Sequence, residues 1–196
     1  MHVYYIIYKP YRVVSQFTSE PGKQTLADFF TVPKDVYPVG RLDEDSEGLL
    51  ILTNDVSINH RLLNPSFGHI REYLLQVEGS ITQQDVVLLQ RGAVINLKGT
   101  MYQTKPCVVT IFGEAPSVTA RNPPVRFRKN IPTSWIKIKL TEGKNRQVRK
   151  MCAGIGFPVL RLIRTRIEGI ELGNLQPGEI VQLSKKIIYE KLFDTA

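Results

Sequence analysis

Cysteine is nearly missing from this 196-residue chain: Cys107 and Cys152 are the only two, and no C-x-x-C pair occurs. A disulfide-stapled scaffold and a cysteine-built zinc cluster are therefore excluded, and a reducing cytoplasm fits. Long apolar runs are missing as well. Val3 to Tyr8, the longest near the start, is far too short to span a bilayer or to form a signal core, so no membrane is expected as a partner. There is no nucleotide-binding glycine loop, no internal repeat and no composition break that marks a linker. The expectation is one domain over residues 1–196, in two lobes, long enough to bury a real core.

What the chain does have is charge, unevenly placed. Residues 1–120 carry 10 basic and 12 acidic side chains, whereas residues 121–196 carry 16 and 6. Arg121 to Lys150 holds ten bases against one acid, Glu142. Dispersed charge would serve solubility as well, so this clustering points to a polyanionic partner, most simply nucleic acid.

The acids have their own focus in Gly40 to Asp55, G-R-L-D-E-D-S-E-G-L-L-I-L-T-N-D. Four carboxylates (Asp43, Glu44, Asp45 and Glu47) lie between two glycines, and Leu49 to Leu52 follows as a wholly apolar run. Such a run, bounded by turn residues, reads as a buried strand. A charged loop feeding it places carboxylates at the rim of a rigid scaffold, where catalytic groups sit. Taken alone, the same residues also read as a solvated acidic turn.

Around this centre the pattern alternates strands with short helices. Strands are expected at Val3–Tyr8, Val36–Val39, Arg71–Glu78, Ala93–Leu97, Cys107–Phe112, Ser134–Leu140 and Ile180–Leu183, with Val13–Phe17 continuing the first. Phe157 to Ile170 reads as a strand pair. Helices are expected after Thr25, after Asn54 or Asp55, and after Thr82, whose Asp85 completes an acidic capping box. Arg121 to Pro132, rich in proline and bases, reads as a mobile loop that touches phosphate through Arg126, Arg128 and Lys129; Phe127 among them could instead pack inward. The helix opened by Lys144 to Cys152 has Asn145 as its expected cap. Val148, Met151, Cys152 and Ile155 share one face, Arg146 and Lys150 the opposite one, and Arg149 the boundary between them.

The Gly40–Asp55 stretch resembles the catalytic signature of the pseudouridine synthases, in the branch that modifies single uridines in ribosomal RNA. Three further blocks carry the resemblance in the same order: Lys9-Pro10, the strand R-E-Y-L-L-Q-V, and E-G-K-N-R-Q-V-R-K-M-C-A-G-I-G-F-P-V-L-R-L-I-R-T-R-I from Glu142 to Ile167. The chain starts directly in the catalytic domain, without the S4-like RNA-binding domain of many relatives, which points to the branch acting on the large-subunit 23S RNA.

The resemblance implies an α+β fold with a mixed, mostly antiparallel central sheet in two lobes, flanked by helices, and an active cleft across its middle. It implies a cytoplasmic monomer whose partner is ribosomal RNA, and an isomerisation that needs no cofactor and no metal. Asp43 matches the essential aspartate, which either attacks C1′ or takes a proton from C2′. Either role needs an ionised carboxylate in a dry pocket, where burial is tolerable only beside a cation. Arg149 matches that cation, and Tyr73 the residue stacked on the base. Arg41 matches the residue that helps to extract the target nucleotide, a step any enzyme acting on a stacked base requires. Lys9, Lys144, Asn145, Arg146, Lys150 and Arg161 are the expected RNA contacts. Two other readings are a metal-dependent nuclease built on Asp43, Asp45 and Glu47, and a non-catalytic RNA-binding protein.

Overall fold

The apolar run at Leu49 to Leu52 lies inside a strand whose seven residues are all buried. A strand buried on both faces needs neighbours on both edges and layers above and below it. The computed structural model, which describes residues 1–126 and 128–194, shows how these are supplied. In chain order the strands and helices are β1 Tyr4–Lys9, β2 Val13–Val14, β3 Gln24–Thr25, β4 Tyr37–Pro38, β5 Glu47–Thr53, α1 Val56–Leu63, β6 Arg71–Glu78, α2 Gln83–Gln90, β7 Val94–Leu97, β8 Thr100–Gln103, β9 Val108–Phe112, β10 Thr133–Leu140, α3 Gln147–Gly154, β11 Val159–Ile167, β12 Ile170–Glu171, β13 Ile180–Leu183 and α4 Lys185–Phe193. The fold is α+β, with a mixed and mostly antiparallel sheet.

The chain forms two compact units. One comprises residues 1–69 and 163–196, and the other residues 70–162. In the first, β1 lies between β13 and β5, antiparallel to both, and β5 runs parallel to β11 through Glu47 and Gly48 opposite Ile163 and Arg164. Ile7, Val13, Leu26, Phe30, Leu50 and Leu52 form part of its core. Asp55 joins β5 to two helices. It caps α1 by accepting from the Ser57 N–H, and it also accepts from the hydroxyls of Tyr4 and of Tyr189 on α4, at 2.9 and 2.8 Å. Burial pushes this carboxyl up, but hydrogen bonds from Ser57, Tyr189 and Tyr4 outweigh it and hold the pKa down to about 2.

In the second unit β10 lies between β6 and β9, antiparallel to both. Thr82 caps α2 as its sequence announces, with the Asp85 carboxylate accepting from the Thr82 N–H at 2.8 Å. Strand β8 is absent from the sequence reading. It pairs with β7 across a Lys98-Gly99 turn, in which the Gly99 N–H donates to Asn96 Oδ1 at 2.7 Å. Its four residues are mostly exposed, so no apolar alternation marked it.

Three other expectations change. Val13–Phe17 does not extend β1; only Val13–Val14 is a strand, paired with β3 in a separate small sheet. Asn145 does not cap α3. Arg146 holds that position in the left-handed region at φ 51°, without a side-chain cap. The Arg121–Pro132 segment, expected to be mobile, is tied at both ends: Arg121 donates to the carbonyls of Pro123, Pro124 and Leu160, and Gly79 N–H donates to the Pro132 carbonyl. Phe127, a candidate for inward packing, lies outside the described residues. Among the described residues no helix is long and apolar enough to cross a membrane.

Candidate active site

The Asp43 loop begins and ends on glycines in the left-handed region, Gly40 at φ 70° and Gly48 at φ 103°. Between them Leu42 is buried, Asp43 and Asp45 are half-buried, and Arg41 and Glu44 are exposed. The Ser46 N–H donates to the Asp43 carbonyl at 3.0 Å and closes the turn. Glu47 sits not on the rim but as the first residue of β5, only 2% exposed.

Asp43 is fixed through its neighbours on both sides. The Ser15 hydroxyl donates to the Leu42 carbonyl at 2.8 Å and accepts from the Leu42 N–H at 3.0 Å. The Arg12 N–H donates to the Glu44 carbonyl at 2.9 Å. Arg12 itself adopts φ 62°, an uncommon state for a non-glycine residue. The turn from Lys9 to Ser15 is thus the template on which the acidic loop lies, holding a half-buried carboxylate in one place before any substrate arrives. Ser15 and Arg12 were invisible as positioning residues in the sequence, because a serine and a turn arginine carry no signal of long-range partners.

Lys9 was expected at the RNA surface and is not there. It is fully buried, opposite Gly48 on the neighbouring strand, and its ammonium donates to the carbonyls of Val13 at 2.6 Å and Pro10 at 2.9 Å, with Glu44 at 3.5 Å. Burial lowers its pKa to about 7, against the opposing pull of Glu47, Asp45, Asp43 and Glu44. The folded protein therefore holds this proton less tightly than the unfolded chain does. Its burial penalty is present at pH 7 and is relieved as pH rises toward the ordinary value of 10.5. Denaturation from pH 7 to 10 should show wild-type stability rising relative to Lys9→Met across that window. Parallel curves for the two proteins would mean that Lys9 is not the group responsible.

The second unit holds the other expected residues. Tyr73 lies on β6 and is 9% exposed. Arg149 is half-buried on α3 and donates from Nη1 to the Val159 carbonyl at 3.1 Å. Arg161, assigned to RNA from its sequence, is 4% exposed on β11, so it presents no cation at the surface. Asn145 and Arg146 are exposed at the start of α3. Lys150 Nζ donates to the Asn96 carbonyl at 2.8 Å, and Lys144 Nζ stands 4.9 Å from the Tyr102 ring.

Glu142, the single acid among ten bases, anchors this stretch. Its carboxylate accepts from the Tyr102 hydroxyl at 2.6 Å, the Lys105 N–H at 2.8 Å and the Gln147 amide at 2.6 Å. Gln147 in turn accepts from the Lys144 N–H at 2.9 Å, which fixes the entry to α3. A lone acid in a basic run was a legible signal of this role.

Other chemistries find less support. Burial pushes the thiol of Cys152 up to about 12 and that of Cys107 to about 11, so neither is poised as a nucleophile. Asp43, Asp45 and Glu47 form no metal-ligand cluster among the described residues.

Comparison with known proteins gives the family to which the chain belongs. The family described as RNA pseudouridylate synthase matches residues 3–154. The ribosomal large subunit pseudouridine synthase E of Vibrio parahaemolyticus is 50% identical over 174 residues, covering 89% of this chain and 71% of that protein. The enzyme of the same name from Xanthomonas axonopodis pv. citri is 45% identical, covering 88% and 89%. A crystal structure of a pseudouridylate synthase superposes with a TM-score of 0.78 at 26% identity, covering 97% of this chain and 74% of that one. The matched span takes in the Lys9–Ser15 template, the Asp43 loop, β6 and α3 together, and the chain belongs to the RNA pseudouridylate synthases, isomerases that convert uridine to pseudouridine.

Proposed function

We propose that this enzyme modifies a single uridine in the ribosomal RNA of the large subunit, acting as a cytoplasmic monomer, with Asp43 as its essential group. The observation that carries the assignment of Asp43 is its placement: a half-buried carboxylate whose two neighbours are each locked to the turn after β1. The substrate follows from the names of the relatives that are 45–50% identical. In this reading Asp43 acts at the sugar of a nucleotide drawn out of its stack, by attack on C1′ or by removal of the C2′ proton. Arg149 supplies the positive charge that lets the carboxylate stay ionised in a dry site. Tyr73 stacks on the uracil while it turns, and Arg41 occupies the space the nucleotide leaves. Arg146, Lys150, Lys144 and the amide of Asn145 meet the phosphates around it, where such contacts position a strand without reading its sequence.

The reaction rearranges one nucleoside. The glycosidic C1′–N1 bond breaks, a C1′–C5 bond forms, and the proton on C5 is returned to solvent while N1 gains one. Mapping pseudouridine across all cellular RNAs, with and without this protein, tests the substrate. The expected result is the loss of one position in large-subunit RNA. Loss confined to transfer RNA or small-subunit RNA would overturn the assignment while leaving the chemistry intact.

A further inference from the structure

We propose that the second unit carries a separate subsite for one nucleotide of single-stranded RNA, in a cleft of about 410 Å³ lined by Val125, Arg126, residues 128–133, Leu160 and the end of β6. The inference rests on the RNA reading above but not on the roles given to Asp43, Tyr73 or Arg149, none of which lines the cleft.

The walls are of three kinds. Val125, Ile131, Pro132 and Leu160 are apolar; Gln76 and Asn130 bring amides; Arg126 and Lys129 bring positive charge. A nucleotide has the same three parts: a flat apolar face, an edge of donors and acceptors, and a phosphate. Single-stranded RNA is recognised by such combined contacts, and the volume lies in the ~300–1,000 Å³ range of small-ligand sites. Glu78 also lines the cleft, but Arg128 Nη1 holds its Oε2 at 2.9 Å, so that acid's charge is answered within the wall. Among the described residues no ion pair engages Arg126 or Lys129.

The cleft is built into the fold. Arg121 donates Nε to the Pro123 carbonyl at 2.8 Å, Nη2 to that of Pro124 at 3.1 Å, and Nη1 to that of Leu160 on β11 at 3.2 Å. The Ile131 N–H donates to the Arg128 carbonyl, and Gln76 Nε2 donates to the Thr133 hydroxyl, both at 3.1 Å. Side chains alternate along β6, so Gln76 and Glu78 face away from the side that Tyr73 faces. The nucleotide held there is not the one modified. It belongs to RNA at a distance from the target, and the cleft contributes to substrate affinity alone.

The test uses the whole chain and three probes: a uridine decamer, an abasic decamer of equal charge, and free UMP. Wild type should bind the uridine decamer at least tenfold more tightly than either other probe. Thr133→Phe, which adds bulk from the exposed start of β10, should lower that preference markedly while leaving kcat at saturating RNA unchanged. Arg126→Ala with Lys129→Ala should keep the preference but reduce the salt slope by about 1.4, at ~0.7 per phosphate contact. A folded Thr133→Phe protein with undiminished preference would overturn the subsite and leave the RNA reading standing. UMP binding as tightly as the decamer would overturn it in favour of a free-nucleotide site. Failure of wild type to bind either decamer would overturn the subsite, whereas failure to modify ribosomal RNA is the separate result that would count against the RNA reading.

Discussion

Asp43→Asn should abolish pseudouridine formation while leaving affinity for RNA within a few-fold of wild type. The substitution is nearly isosteric. Hydrogen bonds to the main chain hold the loop at this position, from Ser46 N–H to the Asp43 carbonyl and from Ser15 and Arg12 to the residues on either side. These bonds remain in the variant, so the loop should keep its shape while the negative charge is lost. If Asp43 acts on the sugar as proposed, its removal should cost several powers of ten in kcat, and single-turnover kinetics on saturating RNA measure it. Asp45→Asn, two residues along and also half-buried, is the matched control and should retain most activity. Residual turnover at a tenth of wild type in Asp43→Asn would show that the reaction runs through another residue.

Gly48→Ala should destabilise the protein more than any other glycine-to-alanine change in the first unit. An added Cβ would stand 2.3 Å from the Arg164 carbonyl oxygen and 2.7 Å from the Arg164 nitrogen. These are backbone atoms of the strand parallel to β5, so no rotamer change relieves the clash. The left-handed φ of 103° adds about 1–2 kcal/mol of strain, and overpacking typically adds about 1–3 kcal/mol. At roughly 2–4 °C per kcal/mol for a chain of this size, melting should fall by about 5–15 °C. Gly154→Ala is the counterpart: it lies in α3 with nothing within 4 Å of the new methyl, and should melt at or above wild type. A Gly48→Ala protein as stable as wild type would mean that β5 and β11 can separate locally at little cost.

The sequence was most legible where local chemistry settles the structure. β6 has the bounds its apolar pattern suggested, Asp55 caps α1, and the Thr82–Asp85 box opens α2. The two glycines around the acidic loop announced a turn, and the turn is there. It was least legible where a charged side chain is buried by partners far along the chain. Lys9 and Arg161 read as surface cations because burial of a lysine or arginine is rare without partners, and single-residue patterns do not reveal those partners. Lys9 finds them in the carbonyls of a tight turn that only the folded chain forms. The template role of Ser15 was hidden for the same reason, since its bonds to Leu42 span 27 residues.

The first unit is discontinuous in the chain, and this has a consequence for how the enzyme is made. Residues 70–162 are one uninterrupted run and can fold as soon as they leave the ribosome. The acidic loop emerges earlier, yet its sheet stays incomplete. The Glu47–Gly48 end of β5 must wait for Ile163 and Arg164, and β1 must wait for Ile180 to Leu183. At about 5–20 residues per second, the wait is on the order of ten seconds. During that interval the nascent chain exposes a strand edge and part of an apolar surface, as chaperone clients do. Slow elongation lengthens the exposure. A polypeptide whose synthesis stops before β13 carries Asp43 but not the finished sheet beneath it, so the acidic loop gains its full support only after Leu183 has been made.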